Sequence, residues 1–237
     1  FTQCIRHHMR HARYLRIDHI MALHRLFWIP EGTGAADGVY VSYPAEELYA
    51  VLCLESHRHH TVVVGEDLGT VPPGVRSDMR RHGILGTWVL QSALRPRAVR
   101  PLKEAPRRAV ASLGTHDMFP FAGFLRGDDI AARLQMGQVD AEGARSEAAA
   151  RHKLTERLSD WLGERPGAGP ATLLRAALAR LAAGRAALVM VNVDDLLLET
   201  RAQNQPGTGP ERENWTRKVA GSEQEVYGAI ADLGPVL

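Results

Sequence analysis

The chain has 237 residues, 45% of them hydrophobic and 24% charged, which is enough to bury a sizeable core and excludes a disordered segment. Its 29 basic and 27 acidic residues leave a formal charge of +2, which gives no electrostatic case for a nucleic-acid or anionic-membrane partner and suits a neutral one. Two cysteines, Cys4 and Cys53, argue against a disulfide framework; with no apolar run near the roughly 20 residues of a membrane span and no signal peptide, the cytoplasm is the expected location.

The chain opens on Phe1 rather than Met, and its first twenty residues read as the end of a helix followed by a strand, so a preceding segment is expected. Tyr14 to Ile17 is a short apolar strand reaching Asp18, and Pro44 to His57 follows as an amphipathic helix with Leu48, Val51, Leu52 and Leu54 at helical spacing. Thr61 to Gly65 is a β-branched strand ending at Glu66, and Pro73 to His82 reads as a short helix opened by proline and closed by Gly83. A third strand spans Gly86 to Leu90, with a proline- and arginine-rich link from Arg95 to Pro106 after it, and a fourth, Ala109 to Leu113, leads into Gly114, Thr115, His116 and Asp117. A long helical region from Asp128 to Trp161 is expected to break near Asp140 to Gly143. Gly163 to Pro170 reads as a turn, Ala171 to Ala183 as a helix and Ala186 to Val193 as a buried strand. An irregular segment through Trp215 and a last helix near Glu223 to Leu233 complete the chain.

Five strands mostly separated by helices predict a parallel sheet with right-handed crossovers. An eight-stranded barrel takes about 250 residues, so the expectation is an α/β fold forming the back portion of a (β/α)8 TIM barrel, with residues 1–237 all part of one catalytic domain.

Three acidic residues stand at the ends of separate apolar runs: Asp18 in LRIDHI, Glu66 in VVVGEDLG and Asp117 in VASLGTHD. Carboxylates delivered by the C-terminal tips of several parallel strands are how a β/α barrel assembles a site for sugar chemistry. Each has a plainer reading. Arg16 and Asp18 can be a structural ion pair, the EDLG segment can cap a helix, a role that suits Asp67, and Asp117 can hold its own turn. The eleven histidines include two clusters, His7, His8 and His11, then His57, His59 and His60. The i, i+4 spacing of His7 and His11 is formally zinc-compatible, but Arg6, Arg10, Arg13 and Arg58 surround the clusters and no HExxH or paired-cysteine motif accompanies them, so they read as solvated helix faces and no metal is expected.

Five blocks carry a resemblance: RIDHIMALHRLFWIP at 16–30, GVYVSYPAEELYAVLCLES at 38–56, VVGEDLGTVP at 63–72, GTHDM at 114–118, and NQPGT followed by ENW at 204–215. In this order they resemble the 4-α-glucanotransferases, also called amylomaltases or disproportionating enzymes. The resemblance implies that the chain begins just before strand four of the barrel and lacks the first three strands, its missing N-terminal part being a partner of the fold. It implies that Asp18 is the nucleophile, Glu66 the general acid/base and Asp117 the carboxylate that stabilises the transition state. It also implies sugar-contacting roles for Arg16, His19, Trp28, Tyr40, His116, Asn204 and Trp215, with α-1,4-glucans and maltooligosaccharides as substrates and no cofactor. Arg16, two residues before Asp18 and on the same side of a strand, is placed to keep Asp18 ionised, whereas the valines and glycine before Glu66 are expected to desolvate it. Because adjacent strand-end side chains point opposite ways, only one of Glu66 and Asp67 faces the pocket. An α-glucan hydrolase or branching enzyme of the α-amylase-like group, or a non-catalytic truncated fragment, stays open as an alternative. The sequence departs from the family's pattern at Met118, Phe119, Pro120 and Phe121 after His116-Asp117, and at Gln205, where the family's NLPGT has an apolar residue.

Overall fold

The computed structural model describes residues 1–95 and 102–234. Residues 96–101 of the proline- and arginine-rich link lie outside them. The chain divides into two compact units, Phe1–Thr87 with Arg108–Val110, and Trp88–Arg107 with Ala111–Leu237.

The first unit runs α1 (Thr2–Met9), β1 (Tyr14–Ile17), a 3-10 turn at Ile20–Leu23, β2 (Arg25–Trp28), β3 (Val39–Ser42), α2 (Ala45–His59), β4 (Val62–Gly65) and α3 (Val75–Arg81). β1 and β4 pair in parallel from Tyr14 opposite Val62 to Ile17 opposite Gly65. Parallel neighbours need a crossover, and α2 lies between them in the chain. The hydrogen bonding continues past β4, with Leu85 donating to Val63 O at 3.0 Å and accepting from Gly65 at 2.8 Å, and with Gly86 donating to Arg108 O at 2.9 Å. The core beneath these strands joins Ile5 and Met9 of α1, Ile20, Met21 and Leu23 of the turn, Tyr49 and Leu52 of α2, Val63 of β4, Val75 and Met79 of α3, and Ile84. Gly65 sits in the tightest part of it. A Cβ there would lie 2.8 Å from Met79 Cε and 2.9 Å from Ile20 Cγ1, so only glycine lets the strand end approach the turn.

The second unit takes up β5 (Gly86–Val89) and β6 (Ala109–Ser112) after their first residues. It adds α4 (Leu90–Ala93), α5 (Phe121–Arg126), α6 (Asp128–Gln135), α7 (Ala141–Leu162), α8 (Pro170–Ala182), β7 (Leu188–Val189), α9 (Val193–Leu196) and α10 (Glu223–Ala231). β5, β6 and β7 form a three-stranded sheet in that order. Leu154 and Leu158 of α7 pack with Leu173, Leu174, Ala177, Leu178 and Leu181 of α8 at the i, i+3, i+4 spacing that makes a helix amphipathic, together with Leu90, Leu113 and Phe121. Capping follows local chemistry: Asp140 accepts the Gly143 N–H at 2.7 Å to start α7, and Pro170 opens α8.

All five expected strands are present, β1 with its expected bounds and β7 far shorter than the Ala186–Val193 run. Among the described residues the sheets are small, of two, two and three strands, and do not close into a barrel. The long helical region breaks at residues 136–140, just before the expected place, and α3 starts after Gly74 rather than at Pro73. The sequence reading missed the antiparallel hairpin of β2 and β3, because its aromatic residues were read as ligand platforms, and the short helices α4, α5 and α9, which fall below the length at which periodicity is legible. No helix among the described residues is long and apolar enough to cross a membrane.

Glu55 on α2 is fully buried, yet its carboxylate accepts two hydrogen bonds from Arg6, at 2.9 and 2.8 Å, and one from Arg58 at 2.9 Å. Arg6 above all holds it down at about 2, against an ordinary 4.5. A depressed folded value means that this stabilisation is complete above the ordinary value and is lost as pH falls towards 2. Urea-unfolding midpoints should therefore decline across that acid window. Glu55→Gln should be less stable than the parent at neutral pH and converge with it near pH 2; a constant gap between the two would contradict the assignment.

Candidate active site

Asp18 is the first residue beyond β1 and Glu66 the first beyond β4, and because Ile17 pairs with Gly65 the two leave neighbouring strands in register. The Glu66 backbone is tied on both sides, its N–H donating to Ile17 O at 2.9 Å and its carbonyl accepting from Ile20 at 3.0 Å. Its carboxylate is 9% exposed as a residue and accepts the backbone N–H of His19 at 3.0 Å and of Leu68 at 2.6 Å. His19 reaches this bond by adopting φ +46°, a left-handed conformation in which histidine is enriched among non-glycine residues. Its side chain faces solvent. Asp18 is the opposite case, its side chain 62% exposed and ion-paired at 2.6 Å with Arg16. The expected Arg16–Asp18 pairing and the expected burial of Glu66 are thus both present.

Asp67, the competitor for the acid/base role, is committed elsewhere. Its carboxylate accepts from Arg76 Nε at 2.7 Å and from the Thr87 N–H at 2.9 Å, while Arg76 Nη2 donates to its carbonyl. It does not cap α3, whose first turn begins beyond Gly74.

β2 and β3 pair antiparallel, with Phe27 opposite Tyr40 and Trp28 opposite Val39. Cross-strand partners share a face and successive residues alternate, so Trp28 and Tyr40 lie on opposite faces of the ribbon. Both are exposed; Trp28 Nε1 donates to Tyr43 Oη at 3.0 Å, and Tyr40 stacks under the Arg25 guanidinium at 4.0 Å. A ligand lying on one face of this ribbon meets only one of the two rings.

In the second unit, Asn204 Nδ2 donates to Asp117 Oδ1 at 2.6 Å, His116 Nε2 lies 3.4 Å from Asp117 Oδ2, and the His116 and Trp215 rings are 5.2 Å apart. Four residues expected at the site, His116, Asp117, Asn204 and Trp215, are therefore gathered from two segments of that unit. The turn carrying Asp117 is held from below. Ser112 Oγ and Asn192 Nδ2 both donate to Gly114 O, the Asp117 N–H donates to Thr115 Oγ1, and Gln91 Nε2 donates to Phe119 O. Asp195 accepts the Phe121 N–H at 2.6 Å at the start of α5, and its burial pushes its carboxyl up. Asn192 and Asp195 were missed from sequence, although Asn192 directly follows an apolar run, the signal that marked Asp18. Among the described residues no three His, Cys, Asp or Glu side chains gather as a metal site.

Acidic residues leave neighbouring parallel strands in register, one exposed beside an arginine and one buried under backbone N–H groups, in an α/β fold of the class that places functional residues at strand ends. A sequence profile described as 4-alpha-glucanotransferase matches residues 1–223, and the chain belongs to that family. It is 38% identical to the 4-alpha-glucanotransferase of Mycobacterium bovis over 94% of its own length, and 34% identical to that of Haemophilus influenzae over 90%. The crystal structure of amylomaltase from Corynebacterium glutamicum matches 98% of the chain with a TM-score of 0.82 and 29% identity. The chain spans 32% of the length of each of these two relatives and 37% of the amylomaltase chain.

Gln205, where the resemblance led to an apolar residue, leaves its buried Oε1 without a hydrogen-bond partner, although its N–H donates to Asn214 Oδ1 at 3.0 Å. An unmet buried acceptor costs about 1–3 kcal/mol. Gln205→Leu should therefore raise stability by about 1 kcal/mol, read as a shift of the thermal midpoint; a loss of stability would show that the amide makes a contact of net benefit.

Proposed function

We propose that this chain is the back portion of the catalytic barrel of a cytoplasmic 4-α-glucanotransferase, spanning about strands four to eight as one incomplete domain, with the front strands supplied by the missing N-terminal part. The observation that carries the reading is the pairing of β1 with β4, which sends Asp18 and Glu66 off adjacent parallel strands in the same register. Adjacent strands lie about 4.8 Å apart, the scale of the roughly 5–5.5 Å that separates the two carboxyl groups of a retaining enzyme. Family membership and the share of the relatives' length that the chain spans support it further.

In this reading Asp18, held by its ion pair with Arg16, attacks the anomeric carbon of an α-1,4-glucan while Glu66 protonates the departing oligosaccharide oxygen. The product is a glucosyl ester on Asp18 and a released glucan with a free 4-hydroxyl. Glu66 then takes the proton from the 4-hydroxyl of an acceptor glucose or maltooligosaccharide, whose oxygen displaces the ester and restores an α-1,4 bond. Asp117, oriented by Asn204 and His116, holds sugar hydroxyls of the ring that acquires positive charge. Trp215, and one ring of the Trp28 and Tyr40 ribbon, supply stacking surfaces. The sequence of steps needs no metal or organic cofactor.

Incubation of the chain with maltotriose should give free glucose and a ladder of longer and shorter maltooligosaccharides at constant reducing-end number. Asp18→Asn should abolish the ladder, and Glu66→Gln should slow it by about 10²–10⁴-fold. Glucose and maltose with rising reducing ends and no longer products would favour a hydrolase, and an undiminished ladder from Asp18→Asn would remove that residue from the nucleophile's role.

A further inference from the structure

The segment that brings Asn204 to Asp117 and Trp215 to His116 leaves α9 and returns on itself, and its two limbs are fastened at the root. Trp215 donates its N–H to Gln203 O at 2.9 Å, and Gln203 Nε2 donates to Arg217 O at 3.4 Å. Inside the segment, Asn214 Oδ1 accepts from the Gln205 N–H, Asn214 Nδ2 donates to Thr208 Oγ1, and Thr208 Oγ1 donates to Gln205 O. Trp215 itself stands at φ +61°, a conformation that a bulky residue keeps only when its surroundings impose it.

What the root is fastened to is one guanidinium. Arg217 is 10% exposed and makes a two-point contact with Asp194, Nη2 to Oδ2 at 2.6 Å and Nη1 to Oδ1 at 3.2 Å. The same Nη1 lies 3.3 Å from Glu199 Oε2, and Nη2 also donates to the Arg201 carbonyl at 3.3 Å. Asp194 belongs to α9, while Glu199 and Arg201 lie on the outgoing limb, so this side chain ties the returning limb both to the outgoing one and to a helix. Glu199 is a fixed counter-charge. It accepts from the Thr200 and Arg201 N–H groups and from the Arg201 guanidinium, and Arg201 first among these holds its carboxyl down at about 2.

We propose that Arg217 is a positioning residue for the transfer reaction: its two-carboxylate contact with Asp194 and Glu199 sets the segment from Gln203 to Trp215 so that Asn204 meets Asp117 and Trp215 lies on His116. The proposal rests on the glucanotransferase reading for its catalytic consequence, and on the hydrogen bonds alone for its structural one. A planar fork is needed because a single ammonium cannot contact Asp194 at two points while also reaching Glu199 and the Arg201 carbonyl.

The test compares the chain with Arg217→Met and Arg217→Lys, following hydrogen exchange in peptides covering 203–216 and those covering Pro170–Ala182 of α8, alongside maltotriose transfer. Arg217→Met should speed exchange in the 203–216 peptides at least about tenfold and leave the α8 peptides unchanged. Transfer should fall about 10- to 100-fold in kcat, with KM little altered, and Arg217→Lys should recover part of both effects. Unchanged exchange in 203–216, or equal acceleration in α8, would overturn the proposal, the second outcome marking Arg217 as a general support of the fold. Absence of transfer in the unsubstituted chain would count against the glucanotransferase reading of the isolated chain, while the exchange comparison would still decide whether Arg217 sets the segment.

Discussion

Four hydrogen bonds converge on Glu66, two through its backbone and two through its carboxylate, and every partner except Leu68 lies between Ile17 and Ile20. The end of β4 is thereby locked to the end of β1, and with it the relation between the residues that follow each strand. The turn at Ile20–Leu23 that makes this possible is also part of the first unit's core. Hydrophobic burial and the placement of the polar site are therefore one constraint, because Ile20 serves both.

The carboxylates of this chain fall into two kinds by what surrounds them. Glu55 and Glu199 are buried, each contacted by two arginines, and held near 2. They are ionised throughout the ordinary pH range and have few oxygen lone pairs left to offer. Asp67 is consumed in the same way by Arg76 and Thr87. Asp18 has one arginine and an otherwise open surface, and Asp117 has one amide and one imidazole. Residues that build the fold are saturated with donors, and those at the strand ends keep capacity for a ligand. Glu66 and Asp67 are alike in burial and each carboxylate accepts two hydrogen bonds; they differ in the donors, two backbone N–H groups for Glu66 against an arginine and one backbone N–H for Asp67.

Much of this was legible before any coordinates. The short apolar run ending at Asp18 and the β-branched run ending at Glu66 mark strands by their length and composition, and the Ala-, Leu- and Arg-rich stretches after residue 128 announce α6, α7 and α8 by their periodicity. Asp18, Glu66 and Asp117 stood out for the same reason, as charges where an apolar run stops. The hairpin was hidden because LFWI and VYV are exposed on both faces and so lack the alternation that identifies a half-buried strand. Asn192 and Arg217 were hidden for a different reason. They act across long sequence separations, and nothing local in ENWTRK signals that its arginine will close on two acids from the preceding helix and limb.

Gly65 carries no functional group, yet its missing side chain is what allows Ile20 and Met79 to close over the strand end. A methyl group there would push against the turn that aims the His19 amide, so damage would be transmitted to Glu66 through a backbone displacement of a few tenths of an ångström. The mutational footprint of the Glu66 site is therefore wider than its carboxylates, and it extends along β4 into the core between Ile20 and Met79.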